Sequence, residues 1–230
     1  MKIISIIPAR GGSKSIPKKN LIDFLGVPLI AKTIHQSIAS QKVNRTIVST
    51  DNKEISDVSK KNGAEVIRRP SNISGDEATT ESALLHVLDV LKQQENYLPD
   101  IVILLQPTSP LRKKKDIDCS IEKFIFENAD SLISGSKFED FLFWEQNNDS
   151  WFPINYNPDK RMRRQDRKPQ FVENGSIYMF KPEILYKFNN RIGGKMILYE
   201  MELWQTWEID IYKEIDLLEF YYKKYLIKDK

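Results

Sequence analysis

Histidine and cysteine are scarce in this 230-residue chain, which holds two histidines, His35 and His86, and one cysteine, Cys119. A His-based metal site or catalytic triad is poorly served by that inventory. Both histidines fall in apolar helical patterns, the usual setting of structural histidines. Cys119 follows Asp116 in another such pattern with no histidine beside it, so it reads as a packing residue, and a lone cysteine agrees with a reducing compartment. No apolar run approaches the length of a membrane span. The first residues carry one lysine and a short strand-like run with no small-residue cleavage site, so a cytoplasmic location is expected and a secretory signal is not. Net charge is also slight, at +3. Its placement is uneven, with basic residues concentrated at 10–19, 112–115 and 159–168. These clusters lack a recognition helix, and aromatics interleave only around Phe143–Tyr156, which argues against a nucleic-acid partner.

What is present suits a soluble α/β protein. At 40% apolar and 29% charged residues, the chain can bury one large core with a small appendage. Strand-like runs at 3–7, 45–49, 64–67, 101–105, 131–134 and 176–180 alternate with helical patterns at 29–40, 53–62, 77–95 and 116–128. That alternation predicts a doubly wound, largely parallel sheet. Ligands of such sheets bind beyond the carboxyl ends of the strands. The loop after Ile7, Ser49–Asp51 and "QPTSPLR" at Gln106–Arg112 therefore share one rim. The whole chain, 1–230, is expected to form a single domain, interrupted by an aromatic and polar stretch at 138–171. A structureless loop of that length is improbable, so the stretch reads as a hairpin-bearing arm. Phe141, Phe143, Trp144, Trp151 and Phe152 on it call for a partner surface, most simply a second copy of the chain. The last stretch, "EIDLLEFYYKKYLIK", reads as an amphipathic closing helix.

The segment "IIPARGGSKSIPKKN", residues 6–20, sets Arg10, Lys14, Lys18 and Lys19 around Gly11 and Gly12 directly after a buried strand. Close-approach glycines expose backbone N–H groups, and the cations neutralise charge on a polyphosphate. The spacing matches neither GxxxxGK[ST] nor GxGxxG, so neither a P-loop nor a nicotinamide site is expected.

That segment, with "VSTDN", "GAEVIRRPSNISGDEATT", "DIVILLQPTSPLR", "ENGSIYMF" and "LYEM…EIDI" in this order, resembles the acylneuraminate cytidylyltransferases, the synthetases of CMP-sialic or CMP-legionaminic acid. The resemblance implies a nucleotide-diphospho-sugar transferase-like fold with a dimerisation arm at 138–171. It also implies a homodimer that joins CTP to a nonulosonic acid and releases pyrophosphate. Arg10, Lys14 and Lys19 would meet the CTP phosphates, with Asn20 as a neutral hydrogen-bonder. Arg69 would meet cytosine, and Ala78, Thr79 and Thr80 the base or ribose. Asp76 and Thr79 also suit the N-terminal cap of the following helix. Gln106 would lie between sugar and α-phosphate, with Ser109 either touching the acceptor or closing a turn. Arg164, or else Arg163, would hold the sugar carboxylate. Asn174 and Tyr178 would line the acyl-sugar pocket, Tyr178 being equally suited to filling core.

The resemblance further implies Mg2+ on an Asp-x-Asp pair, with Asp210 as its first carboxylate. Tyr212 stands where the second would be, while Glu208 and Asp216 lie near in sequence. Two rivals follow: a 3-deoxy-manno-octulosonate cytidylyltransferase, and a non-catalytic nucleotide-sugar binder suggested by Tyr212.

Overall fold

The computed structural model describes residues 1–138 and 141–227. Along the chain it runs β1 (Ile3–Pro8), a two-residue ribbon of β2 (Asp23–Phe24) and β3 (Val27–Pro28), α1 (Leu29–Ile38), β4 (Arg45–Thr50), α2 (Lys53–Lys61) and β5 (Glu65–Arg68). There follow α3 (Thr80–Glu95), β6 (Ile101–Leu105), α4 (Asp116–Phe126), β7 (Ser131–Lys137), β8 (Trp144–Asn147) and β9 (Ser150–Pro153). The chain closes with β10 (Phe171–Phe180), α5 (Pro182–Phe188), β11 (Met196–Met201) and α6 (Tyr212–Tyr221), which runs into a π-helical turn over Tyr222–Leu226. The closing helix expected from the sequence extends one residue past the described part, at Lys228.

Seven strands make one sheet in the order β11-β7-β10-β6-β1-β4-β5. β1 pairs in parallel with β4 and β6, and β4 with β5. β10 runs antiparallel to both neighbours, whereas the edge strand β11 pairs in parallel with β7. The sheet is thus mostly parallel, as the alternating pattern predicts. Alternate residues of the central strands face opposite layers, which is why β6 is apolar throughout and β1 is so but for Ser5, whose Oγ pairs with Ser37 Oγ at 2.6 Å. Ile3, Ile7, Ile103 and Leu105 pack under α1, α2 and α4 through Ile30, Ile34, Ile55, Ile117 and Phe124. Ile4, Ile6, Val102 and Leu104 pack under α3 and α5 through Leu84, Val87, Leu88 and Leu185.

A third apolar cluster joins Ile16 of the loop after β1 to Leu111, Trp204, Ile209 and Leu218. It anchors that loop, the loop after β6 and the segment ahead of α6 to one another. Three stretches distant in sequence thereby meet at the carboxyl ends of β1 and β6.

The arm carries the expected hairpin, β8 against β9, separate from the main sheet. Phe141, Phe143, Trp144, Trp151 and Phe152 are each about half exposed on it. Residues 139 and 140 of the arm lie outside the described part. α5 and β11 have no counterpart in the sequence reading. β11 is short and half-buried, and its Tyr and Glu interrupt the apolar run. β10 starts at Phe171 rather than Ser176, because Phe171, Val172 and Glu173 still pair with β7 before a register shift.

Candidate active site

The loop after β1 is fixed before any ligand binds. Ala9 N–H donates to Ser49 O at 2.9 Å, and Gly11 N–H to Asp51 Oδ1 at 2.9 Å. A Cβ on Gly11 would come within 2.8 Å of Asn52 Nδ2, so only glycine fits against the cap of α2, where Asn52 Oδ1 accepts from Ile55 N. Asn20 Nδ2 donates to Arg10 O at 3.1 Å, closing the loop on itself.

These constraints shape an open cavity of about 300 Å3 whose lining includes Arg10, Lys14, Lys19, Asn20 and Gln106. The structure therefore brings together five of the residues singled out from sequence. Each of the three cations faces a carboxylate. Arg10 Nη1 donates to Asp76 Oδ1 at 3.0 Å and to Gly75 O at 2.9 Å, and Lys14 Nζ lies 3.2 Å from Asp76 Oδ2. Lys19 Nζ lies 2.8 Å from Asp210 Oδ1. Lys18, in the left-handed conformation, turns outward to Glu54.

Arg69 is buried beside this loop, with Nε donating to Ser49 Oγ at 3.1 Å and Nη2 to Ser49 O at 2.8 Å. Burial holds its pKa below the ordinary arginine value; Asp51 opposes that shift and Arg10 adds to it. Thr79 caps α3, its Oγ1 accepting from Ser82 N at 3.1 Å, and Ala78 and Thr80 flank it. Asp76 has no part in that cap. It is drawn to Arg10 and Lys14, so α3 begins at Thr80 rather than at 77.

Past β6, Gln106 lines the cavity, and its Oε1 is buried without a hydrogen-bond partner among the described residues. Gly175, at φ +63°, lies against it: a Cβ there would be 1.9 Å from Glu208 Oε1 and 2.6 Å from Gln106 Oε1. Glu208 also accepts from Thr108 Oγ1 at 3.3 Å. Its pKa is raised, first by burial and then by the charge of Asp210. Asp210 does not cap α6; Glu214 does so by accepting from the N–H groups of Asp210 and Ile211. Tyr212 opens that helix with its side chain exposed. The carboxylate that shares the electrostatic field of Asp210 is Glu208, two residues before it.

Arg69, Ala78, Thr79, Thr80 and Asp210 lie outside the lining of this cavity, and the four other expected residues, Ser109, Asn174, Tyr178 and Arg164, are also absent from it. Ser109 is buried, and its Oγ has no partner among the described residues. Asn174 is buried and braces its neighbours, accepting from Ser134 Oγ at 2.6 Å and from Ser176 N at 3.2 Å. Tyr178 fills core under α3, donating to Glu173 Oε1 at 2.5 Å with the Arg191 guanidinium 4.3 Å from its ring centre. Burial, then the bond to Glu173, pushes its phenol up to about 12. Arg164 lies exposed on a turn of the arm beside Arg163, which binds Asp166 at 2.9 Å. The arm has a depression of its own, about 410 Å3, lined by Tyr156, Lys160, Arg161, Met162, Arg167 and Lys168 among others.

Sequence reasoning passed over Gly175 and Arg112. "ENG" gave the only hint of the first, a glycine that breaks a strand pattern. Arg112 ends the segment "QPTSPLR", and nothing in the sequence reveals that it is fully buried.

Comparison with known proteins places this geometry in a family context. A cytidylyltransferase family model matches residues 4–227. A pseudaminic acid cytidylyltransferase of Campylobacter jejuni is 41% identical over 140 residues, 60% of each chain. N-acylneuraminate cytidylyltransferase A of Danio rerio is 34% identical over 219 residues, 93% of this chain and 49% of its own. The chain thus spans about half to three-fifths of the length of the curated relatives it matches. Among solved structures, CMP:2-keto-3-deoxy-manno-octonic acid synthetase complexed with CTP superimposes with a TM-score of 0.73 at 15% identity, covering 98% of this chain and 100% of that one. A cytidylyltransferase of Leptospira borgpetersenii does so at 0.63 and 19%, covering 100% and 90%. At those identities the likeness is one of fold.

Proposed function

Because the chain belongs to the cytidylyltransferase family, we propose that it transfers the cytidylyl group of CTP to the anomeric hydroxyl of a nonulosonic acid. The sugar oxygen attacks the α-phosphorus and the bond to the bridging oxygen of the β-phosphate breaks. Pyrophosphate leaves, and the hydroxyl proton passes to solvent. The observation that carries the reading is the cavity in which Arg10, Lys14, Lys19, Asn20 and Gln106 converge. Such a displacement asks mainly for positioning and for relief of phosphate charge. Arg10 and Lys19 supply fixed donors on the two sides of the glycine loop, and Lys14, more exposed, follows the triphosphate. Asp76 and Asp210 hold these cations in place until phosphate oxygens displace them. Arg69, with Ala78, Thr79 and Thr80, forms the nucleotide wall. Gln106, whose buried Oε1 awaits a donor, meets the acceptor hydroxyl.

A hard cation fits the other side of the cavity. Glu208 and Asp210 are neighbouring carboxylates: burial first, and then the charge of Asp210, raises Glu208, and a cation beside them relieves the repulsion. Mg2+ takes one or two protein carboxylates and completes its shell with water and phosphate oxygens. Bound there, Mg2+ would neutralise charge on the phosphates. Asp210 and Glu208 are the residues that would hold it.

The names of the relatives support an acylated nonulosonic acid, of the neuraminic or pseudaminic kind, as acceptor. The aromatic hairpin and the cationic depression beside it support a homodimer formed through the arm, with Arg164 or Arg163 reaching the sugar carboxylate from that side. Among the described residues no helix is long and apolar enough to cross a membrane, and a cytoplasmic site of action fits that.

Pyrophosphate release measured with CTP and a panel of neuraminic, legionaminic, pseudaminic and 3-deoxy-octulosonic acids tests the reading. Turnover with an acylated nonulosonic acid is expected. Turnover with the octulosonate alone, or with none of the panel, would overturn it. Light scattering is expected to give a dimer, and a monomer at assay concentration would remove the arm's assigned role.

A further inference from the structure

The ladder between β6 and β10 stops at Leu105 and Ile177. Continued by one step, it would pair Gln106 with Ser176, but no such pair forms, and β10 shifts register against β7 between Glu173 and Tyr178, around Gly175 at φ +63°. The side chain of Arg112 occupies the gap. Its Nη2 donates to Gln106 O at 2.8 Å and to Ser176 O at 2.6 Å, and its Nε to Ser176 O at 3.0 Å. Nη1 reaches the other way, to Gln36 Oε1 at 2.9 Å and Thr33 Oγ1 at 3.3 Å on α1. All five N–H groups of the guanidinium are thereby used, in a side chain that is 2% exposed.

No carboxylate accepts from this buried cation, and an apolar side chain of like volume would fill the space at less cost. What only a planar fork supplies is a fixed separation between two carbonyls that have no other bond to each other. One belongs to Gln106. The other follows Gly175, whose backbone packs against the side chains of Gln106 and Glu208. Gln36 reinforces the arrangement by donating through Nε2 to Pro110 O at 2.7 Å, and so ties the far end of the same loop to α1.

We infer that Arg112 is a positioning residue for cytidylyl transfer: it bridges the main chains of Gln106 and Ser176 where the ladder ends, and so fixes the backbone that carries the Gln106 side chain, which lies with Glu208 beside Gly175. The inference rests on the reading of Gln106 as the residue that meets the acceptor. Arg112 touches no substrate. Its loss acts on the chemical step through the placement of Gln106, where a displacement of an ångström is enough to be felt. CTP is held by the loop after β1 and by Arg69, neither of which bonds to Arg112.

The test compares Arg112→Lys, Gln36→Leu and Thr33→Val with Gln106→Ala in the full chain. Thermal unfolding checks the fold, calorimetry gives the CTP Kd, steady-state pyrophosphate release gives kcat, and amide hydrogen exchange follows 106–112 and 174–178. Lysine reaches only one of the two carbonyls, so Arg112→Lys is expected to lower kcat by about tenfold to a hundredfold. Its CTP Kd should stay within twofold, and exchange should quicken in both segments. Gln36→Leu should do the same to a lesser degree, and it carries the test if Arg112→Lys does not fold. Wild-type kcat and exchange in both folded variants, with kcat lost in Gln106→Ala, would overturn the positioning role alone. Wild-type kcat in Gln106→Ala would overturn it together with the reading beneath it. A loss of CTP affinity equal to the loss of kcat would also overturn it, since that is the signature of general loosening.

Discussion

Lys19, in the cavity lining, has its Nζ 2.8 Å from Asp210 Oδ1, across 191 residues of chain. The lysine is mostly shielded and the aspartate mostly exposed, at 15% and 67% of their side chains. A pair so placed adds little to folding, at most about 1 kcal/mol. Its interest is in exchange: phosphate takes the lysine and a cation takes the aspartate. Asp210→Asn should therefore leave the unfolding temperature almost unchanged while pyrophosphate release falls sharply and needs more Mg2+ for half activity. Tyr212→Asp, exposed at the start of α6, should leave the Mg2+ curve where it was. A wild-type curve in Asp210→Asn would remove Asp210 from the metal assignment.

Asp76 neutralises both Arg10 and Lys14 in the free protein. A triphosphate must displace it, so Asp76→Asn is expected to bind CTP more tightly at low salt, the gain fading as salt screens the competition. Arg10→Ala should have the opposite effect and lower kcat/KM by roughly 100-fold, the worth of one fixed donor to developing charge. Calorimetry at two salt concentrations checks the first, and weaker binding by Asp76→Asn would show that Asp76 orders the site rather than competes for it.

Arg69 offers its unengaged N–H groups to a base, two of its donors being held by Ser49. CTP should be preferred to UTP, because exchanging the N4 amine for O4 leaves a buried polar group unpaired. Arg69→Ala should erode that preference and also cost about 1–3 kcal/mol of stability, since it unties β4 from the end of β5. Equal turnover of both nucleotides by the parent enzyme would exclude this wall as the discriminator.

The parts of this architecture that follow local rules were legible. Ile3–Ile7, but for Ser5, and Ile101–Leu105 are apolar, as strands buried on both faces require. Arg10, Lys14, Lys19 and Asn20 crowd a glycine pair after one of them. The polar loops at Ser49 and Gln106 share a rim because both follow parallel strands. Long-range pairing was not legible. Asp76 resembles a helix cap until the fold brings Arg10 to it, and Asn174 resembles a ligand donor until Ser134 and Ser176 engage it. The placement of Glu208 was not legible for a related reason: side chains ahead of a helix follow the loop's course, which carries Glu208 inward to Gly175.

Asp130 gives a dependence on pH that can be signed. Lys181 Nζ lies 2.7 Å from its Oδ1, and Lys195 N–H donates to its Oδ2 at 2.9 Å, so its pKa is depressed, first by the lysine and then by the amide. A carboxyl whose folded pKa is depressed stabilises the fold above its unfolded value, near 3.9, and loses that contribution as pH falls through the folded value. Asp130→Asn should therefore be less stable than the parent at pH 7, and the gap should close below about pH 4. Denaturant unfolding at a series of pH values measures it. A gap independent of pH would mean that hydrogen-bond geometry alone, without charge, accounts for Asp130.

Gly175 is the position where fold and chemistry constrain one atom together. Its φ of +63° lies in the left-handed region, where a side chain costs roughly 1–2 kcal/mol. A methyl group there would also sit 1.9 Å from Glu208 Oε1 and 2.6 Å from Gln106 Oε1, closer than any contact allows. Glu208 and Gln106 must then withdraw or the bulge must open. In Gly175→Ala, stability should fall by more than the backbone term alone, and kcat should fall while CTP binding, which depends on the loop after β1, is retained. Gly26→Ala is the control, because Gly26, at φ +82°, carries the same backbone cost while a Cβ there meets nothing within 4 Å. Unfolding curves and CTP calorimetry on both variants decide the matter. A Gly175→Ala protein with normal kcat would show that the contact of the bulge with Gln106 and Glu208 has no part in the reaction.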